Sequence, residues 1–130
     1  MTAPLAVHSI APILIVDQIE PCLPFWESLL NFAIVARVPE TGTLDFAMLV
    51  SGPVQVMLQT RASAEADLAG VTRNVATAVL YLSVGSLDPI LANIDHLDVA
   101  VPRRQTFYGA DEIYVHDPAG NLVGFAVHTQ

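Results

Sequence analysis

Residues 116–125 read HDPAGNLVGF, and the reading of this stretch decides the fold. Pro118, Gly120 and Asn121 fall within four positions, the composition of a tight turn, between DEIYVH and LVGFAVH, which are rich in β-branched and aromatic residues. The stretch therefore predicts a β-hairpin. Successive side chains of a strand leave opposite faces, so Ile113, Val115, Val123, Phe125 and Val127 form one apolar face. Glu112, Tyr114, His116, Leu122, Gly124, Ala126 and His128 form the other, which is mixed in polarity. Gly124 contributes no side chain to that second face.

Working backwards, ATAVLYLSV predicts a strand, SLDPILANIDHL a helix with Ser86 as its candidate cap, and DVAV a short strand before the hairpin. The same order stands earlier in the chain. APILIV reads as a strand, and EPCLPFWESLLNF places Cys22, Phe25, Trp26, Leu29 and Leu30 on one face of a helix. FAIVARV, LDFAMLV and VQVMLQT follow as β-prone runs separated by PETGT and SGP. In VQVMLQT, Val54, Val56 and Leu58 are expected to meet the helix, with Gln55, Met57 and Gln59 opposite. A shift equal to the interval from Ile19 to Leu87 also sets Glu20 on Asp88, Pro21 on Pro89 and Leu23 on Leu91. The chain thus predicts an α+β fold of two β-α-β-β-β modules, at about 8–60 and 76–128, within one domain spanning 1–130. The linking RASAEADLAGVTRN suggests one helical turn from Ser63 to Gly70. Helices on one side of curved mixed sheets leave the other side free to cup a cleft.

Composition narrows the function classes. The 130 residues are 53% hydrophobic and 14% charged, enough for one core. A net charge of −8, with five Lys and Arg in all and every one of them arginine, repels nucleic acid and anionic membranes. Schiff-base chemistry through an ε-amine is excluded with the lysines. The lone Cys22 cannot form an internal disulfide, and no apolar run or leader pattern argues against the cytoplasm as the default location. No GxSxG elbow or Gly-rich phosphate cradle is present.

LIVDQIEPCLPFWESLLNF and YGADEIYVHDPAGNLVGFAVH together resemble the opening unit and the closing DP-x-GN hairpin of the vicinal oxygen chelate superfamily. That superfamily groups glyoxalase I, bleomycin-resistance proteins, fosfomycin-resistance enzymes and extradiol dioxygenases. The resemblance implies a divalent metal held from four strand positions, which fall near Ala11, Gln59, Val79 and Gly124. Three of these carry no donor, and a catalytic ion needs about three protein ligands. No metal and no other cofactor is therefore expected. His8 is the one imidazole close to such a corner; His96, His116 and His128 read as surface residues.

Two functions follow as expectations. In the first, the protein is a metal-independent binding protein resembling the bleomycin-resistance branch. Its ligand, a cationic or aromatic small molecule, is held by Gln55, Met57, Gln59, Tyr81, Tyr108, Glu112 and Tyr114. The resemblance also implies a homodimer with clefts between chains. The alternative is a glyoxalase-like lyase or isomerase, or a dioxygenase-related enzyme, using an atypical metal site at His8 or Glu112 as a base.

Overall fold

The computed structural model describes residue 4, residues 8–68 and residues 79–128. Two four-stranded mixed sheets are formed, each curved and open. The first runs in the order β1 (Ile13–Val16), β4 (Val54–Thr60), β3 (Phe46–Ser51), β2 (Ala33–Val38). The second repeats it with β5 (Val79–Ser83), β8 (Leu122–His128), β7 (Ala110–His116) and β6 (Asp98–Gln105). In both, the leading strand pairs parallel to the last, so a helical crossover is required between leading strand and meander.

Those crossovers are short and irregular. The run 20–29, expected as a regular helix, is a 3-10 turn Glu20–Cys22 followed by a π-helical segment Pro24–Leu29. Pro24 has no N–H for the carbonyl four residues back, so Leu23 closes the tighter bond to Glu20 instead. Beyond it the helix widens, and the Leu30 N–H donates to the Phe25 carbonyl at 3.2 Å. The apolar face survives: Cys22, Phe25 and Trp26 are buried against Leu14, Val16, Val56 and Leu58. Trp26 makes edge contacts with Phe25 and Phe32 at ring separations of 5.3 and 5.4 Å. In the second module α2 is Asp88–Ala92, followed by a 3-10 turn Ile94–His96. Ser86 lies one place outside the cap, and its Oγ accepts from the Asp88 N–H at 3.0 Å. One contiguous core joins the modules, with Leu87, Ile90, Ile113, Val115, Val123 and Phe125 completing it.

Several boundaries move. DVAV is the start of an eight-residue strand that continues through Pro102. Pro102 does not end it, because β6 is an edge strand, where a missing ladder donor is tolerated. Val54, expected in the core, is 53% exposed because it opens β4 at the end of the sheet. The linking helix α1 spans Arg61–Leu68, starting two residues earlier than expected, and its forecast end at Gly70 lies outside the described residues. The start of ATAVLYLSV, residues 76–78, does so too.

The DP-x-GN hairpin is held by its own aspartate. Asp117 Oδ1 accepts from the N–H groups of Ala119 and Asn121 at 3.0 and 2.7 Å, and Oδ2 from Asn121 Nδ2 at 3.1 Å. Gly120 takes φ +89°, the left-handed region that a side chain rarely adopts. This motif is a structural turn that sets the register of β7 on β8, pairing Tyr114 with Gly124 and His116 with Leu122.

Candidate binding face and its polar network

The register places the seven expected ligand residues in two groups. Gln55, Met57 and Gln59 lie on the face of the first sheet opposite the helix. Met57 stands across from Ile13 and Met48, and Gln59 across from Ile15 and Phe46. Met57 and Gln55 are half-buried. Gln59 is buried and donates Nε2 to Ser63 Oγ at 3.2 Å, which commits its amide to α1.

Tyr81, Tyr108, Glu112 and Tyr114 form the second group, and here the structure builds one network. Glu112 is fully buried. Its Oε2 accepts from the Tyr81 hydroxyl at 2.7 Å, and its Oε1 from the Tyr108 hydroxyl at 2.7 Å and from Arg104 Nε and Nη2 at 3.1 and 3.0 Å. Burial pushes the Glu112 carboxyl up, but the hydrogen bonds from Tyr108, Tyr81 and Arg104, with the guanidinium charge, outweigh it and hold the acid below its usual range. The same contacts act on the donors. The hydrogen bond to Glu112 comes first in pushing Tyr81 up to about 12, followed by desolvation, and it raises Tyr108 and Arg104 as well.

Arg104 was not among the expected site residues. It lies beyond the strand expected at DVAV; only the pairing of Arg104 with Glu112 across β6 and β7 puts its guanidinium there. It also stands 5.9 Å from the centroid of the Tyr114 ring, within cation–π range. His128 was read as surface and is exposed, yet its Nε2 lies 3.4 Å from the Tyr81 hydroxyl. Tyr81 in turn sits 6.2 Å from Tyr114, ring to ring, and 5.9 Å from His128.

Gly124 is explained by this cluster. A Cβ built there would stand 2.6 Å from Tyr114 Cε2, far inside contact distance. The ring of Tyr114 lies across the backbone that pairs with it, as aromatic residues do over glycines in sheets. Glycine is required for the tyrosine to lie flat.

The seam between the modules adds a cavity of about 260 Å³, lined by Ile10, Pro12, Trp26, Gln55 and Tyr81 among others. It brings Gln55 and Tyr81, one from each group, into the same wall. Met57 and Gln59 are not among its lining residues.

A family chelate does not fit these residues. Ala11 and Val79 offer no donor, the Gln59 amide is engaged with Ser63, and Gly124 is covered by a ring. Strand register adds a correction: Ile13 pairs with Met57 as Tyr81 pairs with Gly124, so Met57 rather than Gln59 is the repeat equivalent of Gly124. Met57 offers only a weak thioether acceptor. Among the described residues no group of three or more His, Cys, Asp or Glu is placed to hold an ion. His8 is exposed, and His116 Nδ1 stands 3.3 Å from Asp98 Oδ2 without hydrogen-bond geometry. Cys22, pushed up to about 11 by burial and then by the Asp117 charge, is a core thiol.

A fold of paired β-α-β-β-β modules closed by a DP-x-GN hairpin defines a class of protein, and the sequence places this one within it. The chain belongs to the glyoxalase/bleomycin resistance protein/dioxygenase superfamily, whose family model matches residues 6–125. It is similar to the solved structure of TioX from Micromonospora sp. ML1, with 20% identity, a TM-score of 0.71, and coverage of 92% of this chain and 98% of that one. It is also similar to a glyoxalase-related enzyme from Fulvimarina pelagi, at 17% identity and a TM-score of 0.75, covering 94% and 89%. A third likeness is to a glyoxalase/bleomycin resistance protein/dioxygenase from Nocardioides, at 15% identity and a TM-score of 0.73, covering 98% and 87%. No curated protein matches the sequence. At these identities the structural likenesses show the fold alone. Among the described residues no helix is long and apolar enough to cross a membrane.

Proposed function

We propose that this protein binds a small aromatic molecule on the open face of its second sheet, by stacking and hydrogen bonding rather than through a chelated metal. The observation that carries the reading is the Tyr114 ring lying over Gly124, where the family places a metal-binding carboxylate. That corner now offers a π surface, flanked by the half-exposed rings of Tyr81 and Tyr108.

The charge of the face refines the ligand. An overall −8 favours cations in bulk, but the one buried carboxylate of the network is neutralised by Arg104 at 3.0 Å. Aromatic character, more than positive charge, is therefore what the face selects. The enzymatic alternative, a lyase, isomerase or dioxygenase-related activity, finds less support. A Glu112 held below its ordinary range and surrounded by donors is a weak proton acceptor at neutral pH. Ile13, Val38 and Val79, which stay exposed on the strands, make a second copy of this chain the expected macromolecular partner.

Purified protein tests the reading in one series. Aromatic compounds should raise the melting temperature and be recovered unaltered, while added zinc, nickel or manganese should leave it in place. A tightly held divalent ion at about one per chain, or chemical conversion of a bound compound, would overturn it.

A further inference from the structure

Within that reading, on which this step rests, we infer that His128 is a ligand-contacting acceptor, presenting a bare Nδ1 beside the tyrosines, and that Tyr81 is the positioning residue that fixes it. One proton decides the tautomer. Glu112 is ionised and paired with Arg104, so it can only accept. The Tyr81 hydroxyl has a single proton, and the charged, buried oxygen of Glu112 at 2.7 Å takes it in preference to a neutral nitrogen at 3.4 Å. The lone pairs left on the Tyr81 oxygen can then only accept. For the contact with His128 to be a hydrogen bond, Nε2 must carry the proton and donate it. In a neutral imidazole the other nitrogen is then unprotonated.

The chain Arg104, Glu112, Tyr81, His128 therefore selects a tautomer, as a second residue commonly does for a functional histidine. Among the described residues nothing hydrogen-bonds Nδ1, and the ring is exposed at the end of β8. The tyrosines stack and accept; Arg104 donates; His128 adds a nitrogen lone pair. A ligand suited to this arrangement is a planar ring bearing an O–H or N–H donor at its edge, such as a phenol or an anilide.

Heteronuclear NMR of the imidazole nitrogens of full-length protein, at a pH of about 8.5 where an ordinary imidazole is neutral, reads the tautomer directly. The expected result is a His128 resonance pair with Nε2 protonated, and a shift toward mixed tautomers in Tyr81→Phe, which keeps the ring and loses the hydroxyl. A dominant Nδ1–H form in the unmodified protein, or an unchanged ratio in Tyr81→Phe, overturns the relay. Phenol and anisole then serve as matched probes, differing in the O–H. Phenol at millimolar concentration should move the Nδ1 resonance and anisole should not. Phenol leaving Nδ1 unmoved, or equal shifts from both, overturns the role of His128 as acceptor. Neither result bears on whether other aromatic compounds stabilise the protein, so the failure of this inference and that of the binding function remain distinguishable.

Discussion

The two modules share one backbone plan and carry opposite chemistry on their open faces. In the first, the face beside β4 is Ile13, Met48, Met57, Phe46 and the two glutamines, apolar and soft apart from amides. In the second, the equivalent strands carry Tyr81, Glu112 and Arg104, which Tyr108 joins in one network of charged hydrogen bonds, with the Tyr114 ring beside it. Even the matched positions Met57 and Gly124 differ, one filling space and the other vacating it for a ring. The side that packs against the helices is apolar in both modules, and the open faces differ.

The asymmetry extends to the core, where the largest effect is expected. Trp26 is 1% exposed and its repeat equivalent is the half-buried Ile94. Trp26→Ala should cost about 3–5 kcal/mol, and the matched truncation Ile94→Ala, at a half-buried site, about 2 kcal/mol or less, read from urea midpoints. Similar losses at the two positions would break the idea that the first helix anchors the shared core.

Next is Gly124→Ala, which drives a methyl into the Tyr114 ring and should cost about 1–3 kcal/mol. Met57→Leu, at the matched position, conserves volume and should cost less than about 1.5 kcal/mol. Combining Gly124→Ala with Tyr114→Ala should give less than the sum, because the clash disappears with the ring.

Acid titration separates the modules by their carboxylates. Glu112 and Asp111 in the second module, and Glu20 in the first, are all held below their ordinary values. For Glu112 burial opposes the shift and the donors outweigh it; Arg103 acts first on Asp111, and the Leu44 N–H, at 2.7 Å, first on Glu20. A lowered folded pKa contributes stability that is present above the unfolded value, and is lost as pH falls from about 4.5 through the folded value. Glu112→Gln should therefore flatten the stability profile below about pH 4.5 more than Glu20→Gln does, since Glu112 has three hydrogen-bonding partner side chains, one of them a guanidinium, and Glu20 is held mainly by the backbone N–H groups of Leu44 and of Glu20 itself. Equal slopes in thermal melts across that range would argue against a dominant second-module network. The smallest effect belongs to Gln59→Ala, which removes one neutral hydrogen bond to Ser63 and should cost about 0.5–1.5 kcal/mol without changing the affinity for aromatic compounds.

Periodicity made much of this legible. The alternation in DEIYVH and LVGFAVH put Ile113, Val115, Val123 and Phe125 on one face, and all four are buried. VQVMLQT is β4 from first residue to last. What escaped were features set by neighbours distant in sequence. The strand expected at DVAV runs on through Pro102, which an edge tolerates, and the helix expected around Pro21 and Pro24 tightens and then widens. Arg104 gave no signal, because its partner Glu112 lies eight residues away across a bulged pair of strands.

By itself the sequence determined the two-module plan, the turn at Asp117–Asn121 and the poverty of metal donors at the family's corners, since these depend on local residue types and on a period of two. Tertiary structure alone decided that Glu112 is buried and held by Arg104 and two tyrosines, that the Tyr114 ring needs Gly124, and that His128 meets Tyr81. Cross-strand register is the reason: it sets residues 31 and 47 positions apart within hydrogen-bonding reach, and no local pattern encodes which side chain will lie opposite which.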